Sequence, residues 1–410
     1  MEKNVMSLRQ TIERNLDWFE QSTIMEPADG RWGVAERILE TAGNPETERI
    51  FTDFPAQTPH DSWCVIESRR ADCNFEAVLY FALAADTLQQ EKYRKIAENI
   101  LDFLYFRSGL LIRADKNAPS GIWNWSHINP GAFSHWLDDN GWVAALQLVL
   151  GRRYPQWDRK YGMTGWGLKL AGELANALDR TIHHSFPGEP GIWRDPQEKW
   201  LGWLQLPHWG VPPCMALLAA CAVDPQEKYV WLVRRYHQYM ADHLADFNAS
   251  ELTYGLIGAT AAFKLFQDDF YWRLALAIGD RILVRMDRET GNLPSEHHEA
   301  PKGAHLVDTI YTANWALLGL QNLCRVCPKK EYAEAYAKLL RLLESIQDDG
   351  AALQYRGSWR GMYDLQARHW GGGNCYEGGA GSVYSGWTNA PIGMAMLWAA
   401  RRESMLDLFA

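Results

Sequence analysis

A chain of 410 residues, 47% hydrophobic and 22% charged, carries enough apolar material for a large core and reads as a globular protein. Its formal charge of -9, with no long Lys/Arg run, argues against nucleic acid or an anionic membrane surface as the main partner. The 7 scattered cysteines fit reduced, buried thiols better than a disulfide framework, and Cys324-x-x-Cys327 lacks the second pair that a zinc site would need.

In chain order, the N-terminal stretch Met1 to Ser7 has no secretory hydrophobic region, so neither a signal peptide nor a membrane span is expected, and cytoplasmic residence follows. Apolar residues then recur at helical spacing over 5–22, 73–89, 90–106, 137–151, 164–184, 211–223, 226–247, 252–267, 269–287, 307–325, 330–348 and 390–405. Tight links such as Val223-Asp224-Pro225 and Gln267-Asp268-Asp269 join these spans in pairs, while long Gly/Pro/Trp-rich segments separate the pairs. Spans such as 211–223 and 252–267 are apolar all round, as inner helices should be; 90–106 and 330–348 carry a charged face, as outer helices should. The expected fold is all-α: a closed ring of six helical hairpins, an (α/α)6 toroid with short β-hairpins in its loops, formed as a single domain over 1–410.

The segments before the inner helices hold the chemically unusual residues. Ser68-Arg69-Arg70-Ala71-Asp72 is the first, followed by the aromatic segment Trp123-Asn124-Trp125-Ser126-His127. Next comes Trp136-Leu137-Asp138-Asp139-Asn140-Gly141-Trp142, two adjacent acids between tryptophans at a helix start. An Asp there also serves as an N-cap, which accounts for one of the two acids better than for both. Beyond them lie Gly191-Ile192-Trp193, Leu206-Pro207-His208-Trp209, Glu251-Leu252-Thr253-Tyr254, Asp308-Thr309-Ile310-Tyr311, His369-Trp370 before three glycines, and Tyr384-Ser385-Gly386-Trp387. Parallel inner helices would bring all these starts to one mouth. Stacked aromatic faces beside carboxylates are what a sugar site requires, because the ring is held while acids exchange protons with the glycosidic oxygen. The pair His297-His298 lies between Glu296 and Glu299, but no ligand spacing marks it as a metal site. No metal or cofactor is expected, and no nucleotide-binding, serine-hydrolase or zincin motif occurs.

Helix count and these motifs resemble the α/α-toroid carbohydrate-active enzymes. The string Trp136 to Trp142 followed by Gly191-Ile192-Trp193 is similar to endo-acting α-mannanases, whose adjacent Asp pair supplies nucleophile and acid/base. The placement of Asp72, Asp139 and His208 is similar to that in unsaturated glucuronyl and rhamnogalacturonyl hydrolases and related β-glucuronidases. That resemblance implies a bound uronic acid, for which Arg69 or Arg70 would be suited. The N-acylglucosamine and cellobiose epimerases share the toroid and move a proton with two histidines, parts that His208 and His369 could take; a non-catalytic oligosaccharide-binding toroid is a further possibility. The expectation is a glycoside hydrolase that removes a terminal sugar, a uronic acid where the second resemblance holds, from an oligosaccharide. Asp139 is the first choice of acid/base, Asp138 or Asp72 the second carboxylate and His208 a supporting donor. Arg69, Arg70, Trp123, Trp125, His127, Trp136, Trp193, Trp209, Tyr254, Asp308, Tyr311, His369, Trp370, Tyr384 and Trp387 are the expected substrate contacts. Oligomeric state is not legible.

Overall fold

Each periodic span forms a helix in the computed structural model, which describes residues 7–113, 120–128, 135–185 and 199–409. The helices are α1 (Leu8–Gln21), α2 (Thr47–Asp53), α3 (Ala71–Leu88), α4 (Glu91–Asp102, extended by a π turn over Phe103–Arg107), α5 (Leu137–Arg153), α6 (Pro155–Tyr161), α7 (Met163–Ser185), α8 (Pro207–Cys221), α9 (Glu227–Asp242), α10 (Ala249–Phe266), α11 (Asp269–Arg285), α12 (Ala313–Val326), α13 (Lys330–Ile346) and α14 (Ala390–Arg401). The short α2 and α6 were not anticipated; α6 starts on a proline, whose fixed φ suits the first helical position, and ends on left-handed Gly162.

Helices α3, α5, α8, α10, α12 and α14 each contact the next, and α14 returns to α3, closing an inner ring. Outer helices α4, α7, α9, α11 and α13 each pack on the inner helix that precedes them, and α1 packs on α14, so the two ends of the chain complete the circle. This is the (α/α)6 toroid. The sequence logic is visible in burial: α5 is buried from Leu137 to Gly151 and α8 throughout, whereas α4 buries one stripe, Tyr93, Ile96, Ala97, Ile100 and Leu101.

Two helix starts differ from expectation. Helix α8 begins at Pro207, before the internal Pro212 and Pro213, because a proline without an N–H is tolerated at the first turn and the following prolines are braced by a neighbour. That neighbour is Gly141 of α5: a Cβ there would sit 2.4 Å from Pro213 N and 2.5 Å from the Pro212 carbonyl carbon. Helix α12 begins only at Ala313, since Leu306–Asp308 pairs as a strand with Met362–Asp364, which in turn pairs with His369–Trp370.

Small sheets tie the loops together, most of them across the chain rather than as local hairpins. Arg37–Glu40 pairs with both Trp63–Ile66 and Ser382–Tyr384, fastening the segment before α3 to the segment before α14. His135–Trp136 runs parallel to Trp200–Leu201, setting the entries to α5 and α8 side by side. No described helix is long and apolar enough to cross a membrane.

Candidate active site

The entries to the inner helices open onto a cavity of about 260 Å³ lined by Arg70, Trp125, Trp136, Asp138, Asp139, Trp203, His208, Trp209, Glu299, Ile310, Tyr311, Glu377, Tyr384 and Trp387, with Arg49, Phe54 and Tyr376 at its edge. The close contact of Gly141 with Pro212 and Pro213 brings the first turn of α5, with its acid pair, against the first turn of α8, with His208. Asn140 fixes that turn further: its side chain accepts from the Trp123 amide (3.0 Å) and donates to the carbonyls of Trp123 and Trp136 (3.2 Å each).

One wall is a knot of compensated charge. Arg70 donates through Nε and Nη2 to the two oxygens of Asp72 (3.2 and 2.8 Å) and through Nη2 to Asp139 (2.7 Å), while Nη1 lies 3.6 Å from buried Glu36. Burial works against its charge, but Asp139 and Asp72 hold the Arg70 pKa well above its usual value. Asp139 is pushed up by burial, an effect that Arg70 opposes and Asp72 and Asp138 reinforce. Asp72 also accepts from the Trp387 indole, and buried Glu76 accepts from the Trp387 amide (2.7 Å). These bonds hold Trp387 at φ 49°, a left-handed backbone conformation costly for a bulky residue, with its ring as part of the cavity wall.

The other wall is uncompensated. Asp138 is buried, its Oδ1 has no hydrogen-bond partner among the described residues, and burial raises its pKa to about 7 against the pull of His208 and Arg70. Glu251, in the first turn of α10, grips His208 twice, accepting from its amide through Oε2 (2.8 Å) and meeting Nδ1 through Oε1 (2.6 Å). Nδ1 therefore carries the proton, and Nε2 is buried without a partner. Burial works against a charged His208, yet Glu251, Asp138 and Glu299 raise its pKa. Glu299 is raised to about 7 by burial and by Glu377. The Tyr311 hydroxyl lies 3.0 Å from Glu299 and 2.8 Å from Glu377, so a single phenolic proton serves two carboxylates.

Aromatic rings complete the walls. Trp136 and Trp209 stack at 5.2 Å with planes 21° apart, and Trp203 meets Trp209 edge-on at 5.6 Å. Trp125 lies beneath the Arg70 guanidinium at 4.8 Å.

Of the residues singled out from sequence, Arg70, Trp125, Trp136, Asp138, Asp139, His208, Trp209, Tyr311, Tyr384 and Trp387 line this cavity. Asp72 sits behind it on Arg70. Arg69 and His127 face a separate pocket with Trp32, Glu67 and Arg107, where Arg69 is paired to Glu67. Trp123 is core, packed edge-on against Phe75 and Tyr105. Tyr254 is buried beneath His208, and Asp308 accepts from the Ile310 and Tyr311 amides and the Thr312 hydroxyl, fixing the turn that leads into α12. His369 is exposed on a strand and Trp370 packs on Tyr363; neither lines the cavity. Trp193 lies outside the described residues. The sequence reading did not select Glu251, Glu299, Glu377 or Trp203 as site residues. Glu299 adjoins the conspicuous His297-His298 pair, and Glu377 follows the Gly-rich segment after Trp370, so the correct loops were marked at the wrong residues.

No family model matches the chain, and no curated protein matches it in sequence. Solved structures do match its fold. Cellobiose 2-epimerase from Bacillus thermoamylovorans B4167 aligns with a TM-score of 0.62 at 11% identity, covering 96% of this chain and 98% of that one. An α-1,6-mannanase from Salegentibacter sp. HEL1_6 aligns at 0.56 and 12%, covering 97% and 99%; an inactive variant of it, with two consecutive aspartates changed to asparagine, is known in complex with α-1,6-mannotriose. A mutant unsaturated glucuronyl hydrolase from Streptococcus agalactiae aligns at 0.57 and 14%, covering 98% and 94%. The fold is thus one that serves glycoside hydrolases and sugar epimerases alike, and at these identities it specifies neither.

Proposed function

We propose that the protein is a glycoside hydrolase acting on a neutral oligosaccharide, with Asp138 as proton donor and Glu299 as the second carboxylate. The observation that carries this reading is a pair of carboxyls in one aromatic-walled cavity, Asp138 buried and Glu299 with 35% of its side chain exposed, both raised to about 7. Two carboxyls that titrate near neutrality on one cavity suit a division of roles in which one donates a proton while the other acts as base or nucleophile. This moves the leading role from Asp139, which is engaged by Arg70, to its neighbour.

The same geometry weakens the uronate expectation. Arg70 is spent on Asp72, Asp139 and Glu36, and Arg69 on Glu67 in another pocket. Arg49, at the cavity edge, lies over the Tyr376 ring at 4.2 Å, while Asp138, Asp139, Glu299 and Glu377 all line the cavity. A further carboxylate would enter an acidic chamber.

One observation favours a second reading as sugar isomerase or epimerase: in the Glu251–His208 dyad the His208 Nε2 is left unpartnered, the arrangement of a general base. The pair expected from sequence, His208 with His369, is not assembled, since His369 is exposed and does not line the cavity; the histidines beside His208 are His297 and His298. Incubation with neutral oligosaccharides in deuterated water separates the readings. Hydrolysis yields new reducing ends and is lost in Asp138→Asn. Deuterium incorporated beside the carbonyl carbon without cleavage, dependent on His208 and indifferent to Asp138, would replace the hydrolase reading.

A further inference from the structure

Beside the cavity, on the far side of His208, lies a histidine cluster that the proposed chemistry does not use. His297 and His298, from the loop between α11 and α12, stand against His208 with ring centroids 4.7 and 5.5 Å from it and 4.4 Å from each other. One ligand atom from each of the three lies within 4.8 Å of those of the other two. His208 and His297 are 2% and 0% exposed, and the Nε2 of each is buried without a hydrogen-bond partner. Buried polar atoms are almost always satisfied, so two orphaned imidazole nitrogens in one corner, from elements far apart in the chain, point to a ligand with affinity for both.

We infer that His208, His297 and His298 form a binding site for a divalent transition-metal cation of the zinc class. Three neutral imidazoles with an open fourth position are a common catalytic donor set for such ions. The outer shell is also in place: Glu251 accepts from His208 Nδ1, the carboxylate contact that orients a ligating imidazole and directs its other nitrogen to the metal. His297 is held flat against the Tyr311 ring at 3.7 Å. The Glu299 amide donates to His297 Nδ1 at 3.3 Å, so binding through Nε2 requires the tautomer with its proton on Nδ1 and the loss of that long contact. His298 has 47% of its side chain exposed and completes the triad from the solvent side. Its Nε2 lies 4.0 Å from Glu299, which places a carboxylate at the edge of the site. The surrounding Asp138, Glu251 and Glu299 favour a cation there. The sequence could not show this triad, because His208 joins the pair only through the closure of the ring.

The site stands on its own geometry, whereas its role toward a sugar rests on the proposed function. There the open position would face the cavity and take a sugar hydroxyl, so His208 would reach substrate through the ion and not by its own proton. The test reads metal and not turnover. Protein stripped with chelator is titrated with Co²⁺, followed by its visible absorption, and with Zn²⁺ by calorimetry. One equivalent should bind with the absorption of nitrogen-ligated, low-coordinate cobalt. His297→Gln and His298→Gln should each weaken binding at least tenfold, Glu251→Gln should weaken it roughly 10–100-fold, and His243→Gln, at an exposed histidine elsewhere, should leave it unchanged. Circular dichroism checks that each variant is folded. Absence of saturable binding to wild type, or binding that survives in the folded His297→Gln/His298→Gln double variant, would overturn the site. Metal binding in a protein inactive on every saccharide would overturn the proposed function and leave the site standing.

Discussion

Asp138 and Asp139 are neighbours in sequence and both line the cavity, yet they belong to opposite regimes. Asp139 shares the Arg70 guanidinium with Asp72 and Glu36, so its charge is paired, although three carboxyls draw on one cation and burial still pushes the Asp139 pKa up. Asp138, drawn electrostatically to His208, keeps an oxygen with no hydrogen-bond partner among the described residues. The helical step of about 100° between successive residues is what separates them. The compensated wall holds the mouth of the ring together and fixes Trp387; the uncompensated wall stores the reactivity, because unsatisfied buried groups are the ones a substrate or ion can satisfy.

The largest effects should fall on turnover at one wall and on folding at the other. Asp138→Asn should lower kcat about 10²–10⁴-fold, the usual contribution of a general acid, with no loss of unfolding free energy. Arg70→Met should do the reverse first: it leaves Asp72 and Asp139 buried without their cation, and breaking a buried pair in this way typically costs ~3–5 kcal/mol, measured by denaturant unfolding. If Arg70→Met folds with wild-type stability, or Asp138→Asn melts early, the contrast between the walls is wrong.

Titration gives a finer comparison. In the unfolded chain the Asp138 carboxyl ionises near its ordinary value of about 4, whereas in the folded protein burial raises it to about 7. Between those values the folded state binds more protons than the unfolded state, so this group makes stability fall as pH rises from about 4 to about 7, with no further loss above. Glu299 adds a slope of the same sign. Asp138→Asn should therefore flatten the decline in melting temperature across pH 5 to 8 and be relatively more stable at the upper end. If Asp138 is the donor, wild-type kcat should also fall as pH passes through about 7. A variant whose melting curve tracks wild type at every pH would show that Asp138 ionises normally in the fold.

The fold was legible because inner and outer helices differ in how much of their circumference is apolar, and Met215 to Cys221 or Gly255 to Phe263 state that difference residue by residue. The start of α8 was less so: Pro212-Pro213 reads locally as a boundary, and only packing against Gly141 explains why the helix runs through it. At the site, sequence marked helix starts well and loop residues poorly. Glu299 and Glu377 reach the cavity from separate irregular segments joined by one Tyr311 hydroxyl, a relation with no spacing to detect. Sequence also could not rank Asp138 against Asp139, because the ranking depends on Arg70, which arrives from a different inner helix.

The smallest predicted effect distinguishes aromatic residues that cover substrate from those that fill space. Trp203 is partly exposed, lines the cavity and meets Trp209 at its edge, whereas Trp123 is 1% exposed and packed between Phe75 and Tyr105. A sugar stacked on Trp203 is held equally in the ground and transition states, so its loss should raise KM and spare kcat. An aromatic contact is worth roughly 0.5–1.5 kcal/mol beyond area burial, so Trp203→Ala should raise KM about 2–12-fold with little change in unfolding free energy. Trp123→Ala removes a large buried ring and should instead cost ~3–5 kcal/mol of stability. If Trp203→Ala leaves KM unchanged for every accepted oligosaccharide, the Trp203 face is not a sugar platform, and the aromatic contribution to binding must come from Trp125, Trp136 or Trp387 on the remaining walls.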